Sequence, residues 1–160
     1  MFVETAELMT DKSVDNGVSL EIVSATQDSA QQIMQWRNDP ETLANSFDSR
    51  PKEWPAFYSE FLQQYCQDAT LPCLFILKDG QRVGFIRFRR QPTLLDGHRA
   101  TDVSINLAPS ERGKGLAAPA LRACIQVARN AGIEVVLAEI KADNKASVAA
   151  FEKAGFYLSR

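Results

Sequence analysis

The stretch Ile105-Asn106-Leu107-Ala108-Pro109-Ser110-Glu111-Arg112-Gly113-Lys114-Gly115-Leu116-Ala117 constrains the chain more than any other. It reads as a strand running into a glycine-bearing turn that opens a helix. Several backbone N–H groups then point outward with no intrahelical partner, and such a turn is built to hold an anion. A side chain at Gly113 or Gly115 would restrict the backbone dihedrals and obstruct close approach of a phosphate. Arg112 and Lys114 add positive charge beside the positive end of the helix dipole. The turn is not a Walker loop, which needs Gly-Lys-Ser/Thr, nor a dinucleotide fingerprint, which needs three spaced glycines.

The remaining composition narrows what can surround that turn. A chain of 160 residues with 45% hydrophobic and 24% charged residues is one ordinary globular domain with a real core. A formal net charge of −2 gives no reason to expect nucleic acid or an acidic membrane as partner. No apolar run approaches the roughly 20 residues that span a bilayer, and the start, with Glu4, Glu7 and Asp11, lacks a signal peptide's basic residues, so the cytoplasm is the expected location. Cys66, Cys73 and Cys124 have no metal-ligand spacing, and His98 is the only histidine. No metal is expected, and no Ser-His-Asp triad has its parts beyond one imidazole.

Residues 1–18 are polar with little periodicity and read as an N-terminal extension that is disordered or docks elsewhere; residues 19–160 read as a single domain. Ser19 to Ala25 alternates as a first strand, and Thr26 or Asp28 caps a helix with Ala30, Ile33, Met34 and Arg37 on one side. That helix ends at Trp36-Arg37-Asn38-Asp39-Pro40. Trp54, Phe57, Tyr58, Phe61, Leu62 and Tyr65 form an aromatic stripe at helical spacing, read as core. Leu74–Lys78 and Arg82–Arg90 flank the tight-hairpin signature Asp79-Gly80. Residues 92–99 read as a loop. Ala100–Leu107, the fourth strand, puts Asp102, Ser104 and Asn106 on one face. Pro119 fits if the next helix begins near Leu116, and Val135–Ile140 reads as a doubly buried strand before a last helix capped at Asp143-Asn144.

Two motifs resemble those of a known family. Arg112-x-x-Gly115-x-Ala117 resembles the acetyl-CoA pyrophosphate loop of the GNAT acetyltransferase superfamily, and Asn144-x-x-Ser147-x-x-x-Phe151-Glu152-Lys153-x-Gly155-Phe156 resembles its later helix and closing Gly-Phe. Together they cover roughly residues 84–156. The resemblance implies an α/β (α+β) GNAT fold, with a central mixed twisted sheet splayed at the fourth strand and helices on both faces. It implies acetyl-CoA as cosubstrate. The backbone of Ile105, Asn106 and Leu107 would pair with the pantetheine arm, the turn of Arg112, Gly113, Lys114, Gly115, Leu116 and Ala117 would hold the pyrophosphate, and Asn144, Ser147 and Phe151 would lie beside the cofactor. Asn144 is equally readable as a helix N-cap, and the two roles are compatible. The chain departs from the family after Gly155-Phe156, where a further full strand is usual. Either the chain is cut from a longer one, or the sheet has an unfinished edge open to a partner strand, as in a homodimer.

The chemistry implied is transfer of acetyl from a thioester to an amine. An alkylammonium has a pKa near ~10 and must lose a proton first. Asp102, ten positions before Arg112, stands where many family members place a strand carboxylate and is the expected base or amine-binding group, with Asn144 the other expected catalytic residue and His98 the alternative base. Many members carry a tyrosine where this chain has Phe151, which has no proton to give.

Trp36-Arg37-Asn38-Asp39-Pro40-Glu41 with Asn45-Ser46-Phe47 resembles the subgroup acetylating amino sugars on nucleotides, as in pseudaminic-acid-type biosynthesis, which makes a nucleotide-linked amino sugar the expected acceptor and Trp36, Arg37 and Arg87 the expected residues around it. Trp36-Arg37 also occurs among ribosomal-protein N-terminal acetyltransferases, the alternative acceptor class. A third reading is a non-catalytic acetyl-CoA-binding module.

Overall fold

A computed structural model describes residues 2–5, 17–89 and 93–159. Its elements in order are β1 (Phe2–Thr5), β2 (Val18–Ile22), α1 (Gln27–Arg37), α2 (Pro40–Asn45), α3 (Ala56–Glu60) continued by a π-helical turn (Phe61–Tyr65), β3 (Leu74–Lys78), β4 (Gln81–Phe88), β5 (Thr93–Leu95), β6 (His98–Leu107), α4 (Ala117–Asn130), β7 (Val135–Glu139), α5 (Lys145–Lys153) and β8 (Phe156–Ser159). The strands form one mixed sheet in the order β2-β3-β4-β6-β7-β1-β8, with β5 hairpinned onto β6. Among the described residues only β6 and β7 pair in parallel.

Two cores flank this sheet. Side chains at alternate strand positions face opposite ways, so β4 sends Ile86 and Phe88 to one core and Phe85 to the other. On the first face Leu121, Cys124, Ile125 and Ala128 of α4 and Phe151 of α5 pack together. On the second, Ala30, Ile33 and Trp36 of α1 meet Phe57, Phe61 and Tyr65. Thr26 caps α1 by accepting from the Ser29 N–H at 3.3 Å, as its position predicts. The aromatic stripe is interior as expected; the π-helical turn keeps Phe61 and Tyr65 buried together.

Three sequence expectations change. Residues 2–5 are not a structureless extension: β1 lies antiparallel between β7 and β8, pairing Val3 with both Ala138 and Leu158, while residues 6–16 fall outside those described. The slot that the sequence leaves for a further C-terminal strand is thus filled from the N-terminus, and β8 itself is present. The first strand is Val18–Ile22 rather than residues 19–25; its register with β3 carries on one residue further through the Val23 N–H, which donates to the Cys73 carbonyl at 2.9 Å, and ends there as the chain turns toward the Thr26 cap. Residues 93–99 are not loop but a second hairpin, turned by Asp96 and Gly97 at positive φ in the same way as Asp79 and Gly80.

Gly84 sits opposite Leu107, and the backbone of β6 passes close to it. A Cβ at Gly84 would collide with the Asn106 carbonyl oxygen and stand 3.0 Å from Leu107 Cα. Both are backbone atoms of the strand that feeds the anion turn. Gly84→Ala is therefore expected to lower stability by about 1–3 kcal/mol, read as a shift of the denaturant midpoint; an unshifted midpoint would contradict this close approach.

Candidate active site

The site begins where two strands part. β6 pairs with β7 only at Ala100–Asp102 against Val135–Leu137, although β6 runs on to Leu107. Arg89 N–H donates to Asp102 O and Ala108 N–H to Val83 O, both at 2.9 Å or less. Antiparallel alternation then turns the backbone groups of Ser104 and Asn106 toward β4 and those of Ile105 and Leu107 toward the gap. Asn106 consequently offers its side chain, not its amide, to the site.

The gap opens into a cavity of about 540 Å³ lined on one side by Val103 to Leu107 and on the other by Ala138 to Ile140, Asn144, Ser147 and Phe151. At one end lies the glycine turn. Gly113 and Gly115 adopt φ of 73° and 75°, and no atom lies within 4 Å of where a Cβ would stand at either. Leu116 caps α4 without a side-chain bond, and the first helical bond runs from Ala120 N–H to Leu116 O at 3.2 Å. Pro119, in the first turn as expected, has no N–H to satisfy. The N–H groups of Ala117 and Ala118 are therefore left to meet whatever anion occupies the open space, with the helix dipole behind them.

The opposite end is cationic. Arg37, Arg87 and Arg89 all line the cavity. The Arg87 guanidinium lies 3.9 Å from the centre of the Tyr65 ring, Arg37 Nη1 donates to the Tyr65 hydroxyl, and Arg87 Nε is buried with no hydrogen-bond partner. Burial pushes the Tyr65 phenol above its ordinary pKa although both arginines pull the other way. Tyr65 stays neutral and anchors two guanidiniums at once.

A strap crosses the mouth. Asp39 caps α2, accepting from Thr42 N–H at 3.2 Å, and also accepts from Arg112 Nη2 at 2.7 Å. Arg112 further donates to Glu41 at 2.7 Å and to Thr42 Oγ1 at 2.8 Å. The Arg112 guanidinium, more than any other group, holds the Asp39 carboxyl below its ordinary pKa. A carboxylate with a lowered folded pKa contributes stability in full above the unfolded value near ~3.9 and gives it up as pH falls through the lower folded value. From the β7 side Lys141 Nζ donates to Ala44 O at 3.0 Å.

The sequence-predicted residues fare unevenly. Ile105, Asn106, Leu107, Arg112, Gly113, Gly115, Leu116, Ala117, Asn144, Ser147, Phe151, Arg37 and Arg87 all line the one cavity. Asn144 also caps α5, its Oδ1 accepting from Ser147 N–H at 3.3 Å. Lys114 is outside the lining, paired with Glu111 at 3.2 Å. Trp36, expected around the acceptor, is instead 6% exposed and packed between Phe75 and Phe85, a core residue. Asp102 is buried and absent from the lining, because the cavity starts one residue later at Val103. His98 is exposed and pairs with Glu134 at 2.5 Å, away from the cavity. Phe151 stands 4.8 Å from Phe156, edge to face, and closes the floor.

Several lining residues were given no site role of their own from the sequence: Tyr65, read only as core, Thr42, Glu139, and Glu41, Asn45 and Ser46, which entered only as part of the subgroup motif. Parity could have found Glu139. Val136 and Ala138 are core, so Glu139 shares the opposite face of the sheet with Leu137, which is paired with Asp102.

The model of the acetyltransferase (GNAT) family matches residues 30–156. The chain belongs to the GNAT family. No curated protein matches the sequence. Solved structures agree on the fold. YncA, described as a putative acetyltransferase from Salmonella typhimurium with its cofactor acetyl-CoA, is 19% identical with TM-score 0.68, covering 91% of this chain and 82% of that one. AAC(6')-Ib in complex with ribostamycin and coenzyme A is 16% identical with TM-score 0.71, covering 89% and 84%. A domain from Methanocaldococcus jannaschii is 18% identical with TM-score 0.74, covering 91% and 92%.

As a GNAT member the chain is an acetyl-CoA-dependent acetyltransferase. The residues present suit that cosubstrate: open N–H donors, two glycines at positive φ with free space before them, and unpaired strand backbone along the gap. Among the described residues no group of His, Cys, Asp and Glu could hold a metal ion, and no helix is long and apolar enough to cross a membrane.

Gly115→Val strains a dihedral that L side chains avoid and fills the space before the amides. The dissociation constant for CoA, measured by calorimetry, is expected to rise about tenfold or more. Gly97→Ala, with the same kind of strain in a distant hairpin, is expected to leave it unchanged.

Proposed function

We propose that this acetyltransferase acts on the primary amine of a small anionic acceptor, with a nucleotide-linked amino sugar as the class that fits best. The observation that carries this reading is the cluster of Arg37, Arg87 and Arg89 at the end of the cavity opposite the glycine turn. Guanidiniums fork onto phosphate oxygens. Arg87 Nε, buried without a partner, is a donor that an acceptor phosphate would satisfy.

The same charge argues against a polycationic acceptor such as the aminoglycoside bound in one structural relative. A peptide N-terminus, the alternative acceptor, calls for an acidic open groove, whereas three arginines line this end. The non-catalytic binding-module reading is set aside because the chain belongs to an acetyltransferase family.

Acetyl-CoA supplies an activated thioester acetyl group. In the proposed mechanism the amides of Gly113 to Ala118 hold its pyrophosphate, the outward backbone of Ile105 and Leu107 pairs with the pantetheine arm, and one of those N–H groups polarises the thioester carbonyl. Asn144 and Ser147 border the arm from α5. The acceptor ammonium must give up a proton before its nitrogen can attack, and a carboxylate within the cavity is needed to take it. Glu139, at the splay and on the acceptor face, is proposed for this role in place of Asp102, which is buried outside the cavity lining. Water protonates the departing thiolate, consistent with a thiol pKa near ~8.5 and with Phe151 on the floor.

The test is a thiol-release assay with acetyl-CoA, comparing UDP-linked amino sugars, aminoglycosides and peptides with free N-termini. Turnover confined to the UDP sugars is expected; turnover confined to either of the others would overturn the acceptor class. With the active acceptor, Glu139→Gln is expected to lower kcat about 10²-fold or more while Asp102→Asn changes it far less. The reverse order would return the base to Asp102.

A further inference from the structure

We infer that Arg112 positions the acceptor strap rather than the cofactor. The Arg-x-x-Gly-x-Ala pattern invites the reading that this guanidinium grips the pyrophosphate. Its hydrogen bonds run elsewhere. Nη1 donates to Glu41, and Nη2 donates to both Asp39 and Thr42 Oγ1, all between 2.7 and 2.8 Å. These three partners belong to one short element, α2 and its cap, which supplies Glu41, Thr42, Asn45 and Ser46 to the cavity wall.

The geometry of the splay gives that grip a purpose. Arg112 follows β6 and Lys141 follows β7, the two strands that part to form the cavity. One holds the N-terminal end of α2 through its cap, the other its C-terminal end through the Ala44 carbonyl at 3.0 Å. A helix of six residues, none of them buried, has little packing of its own to hold it in place. The strap therefore owes its position over the opening to these two cations. Arg112 is the stronger pin, because it meets Asp39 in a part-buried setting, at 28% and 17% side-chain exposure, and adds the more exposed Glu41 carboxylate.

Two consequences follow from the same contacts. The anion site of the glycine turn draws its donors from the backbone, so removal of the Arg112 side chain leaves them intact. The wall facing the acceptor, by contrast, depends on that side chain. Arg112 is thus a positioning residue that joins the cofactor turn to the acceptor entrance, and Asp39 is its chief partner.

The experiment compares Arg112→Ala, Arg112→Lys and Asp39→Asn with the unaltered protein in two measurements that require no acceptor. Hydrogen exchange of the amides of residues 41–46 reads the strap, and calorimetric titration with CoA reads the turn. In both Arg112→Ala and Asp39→Asn, strap exchange is expected to quicken about tenfold or more, while the CoA dissociation constant moves by less than about threefold. Arg112→Lys, which keeps one charge but loses the fork, should fall between. Unchanged strap exchange in Asp39→Asn, or a CoA affinity lowered about tenfold or more in Arg112→Ala alone, would overturn the inference and return Arg112 to the phosphate. Asp39→Asn preserves shape, so the test holds even if Arg112→Ala folds poorly. This inference rests on the acetyltransferase reading only for where the acceptor lies, and if no UDP-linked amino sugar is turned over, both measurements still stand. With an active acceptor, its KM should rise in Arg112→Ala while the KM for acetyl-CoA stays nearly constant.

Discussion

Everything at this site depends on a strand pairing that stops early. β6 and β7 share a ladder for three residues and then separate. A continuous parallel pair would have consumed the backbone groups of Ile105 and Leu107 and left no cavity. Buried backbone donors and acceptors require partners, so strand groups left facing a gap amount to a binding surface. The cofactor turn and the acceptor strap are each placed relative to that gap: the turn at the end of β6, the strap spanning the residues that follow β6 and β7.

Four consecutive residues show how the acceptor side is assembled. Trp36 fills the core between Phe75 and Phe85, Arg37 binds the Tyr65 hydroxyl at the cavity, Asn38 clasps the Lys52 backbone through both its amide atoms at 2.7 and 2.8 Å, and Asp39 caps α2 and receives Arg112. Each faces a different direction because Trp36 and Arg37 are successive residues of the last turn of α1, about 100° apart, while Asn38 and Asp39 lie between α1 and α2 as the chain turns toward Pro40. A run that looks like one binding motif in sequence is thus four separate attachments.

The fold was legible where chemistry is local. The glycine turn, the Asp79-Gly80 hairpin, the Thr26 cap and the aromatic stripe each depend on neighbours within a few positions, and each is found where the sequence places it. What could not be read there depends on pairings between distant segments. The place of residues 2–5 between β7 and β8 requires knowing that α5 carries the chain past one empty slot. Arg112 looked like a phosphate ligand because its partners lie 70 to 73 positions away. Trp36 and Asp102 were assigned by resemblance to a cavity that neither lines, while Glu139, beside apolar neighbours, was given no role of its own.

The central claim is that backbone, not side chains, anchors the cosubstrate, along the unpaired edge of β6 and the turn after it. Amide proton chemical shifts followed by NMR during titration with CoA test this most directly. Large downfield shifts are expected for Gly113, Gly115, Ala117 and Ala118 and for Ile105 or Leu107, with Asn106, whose amide faces β4, moving least. Shifts concentrated in Asn106, or absent from the turn while CoA binds, would contradict it.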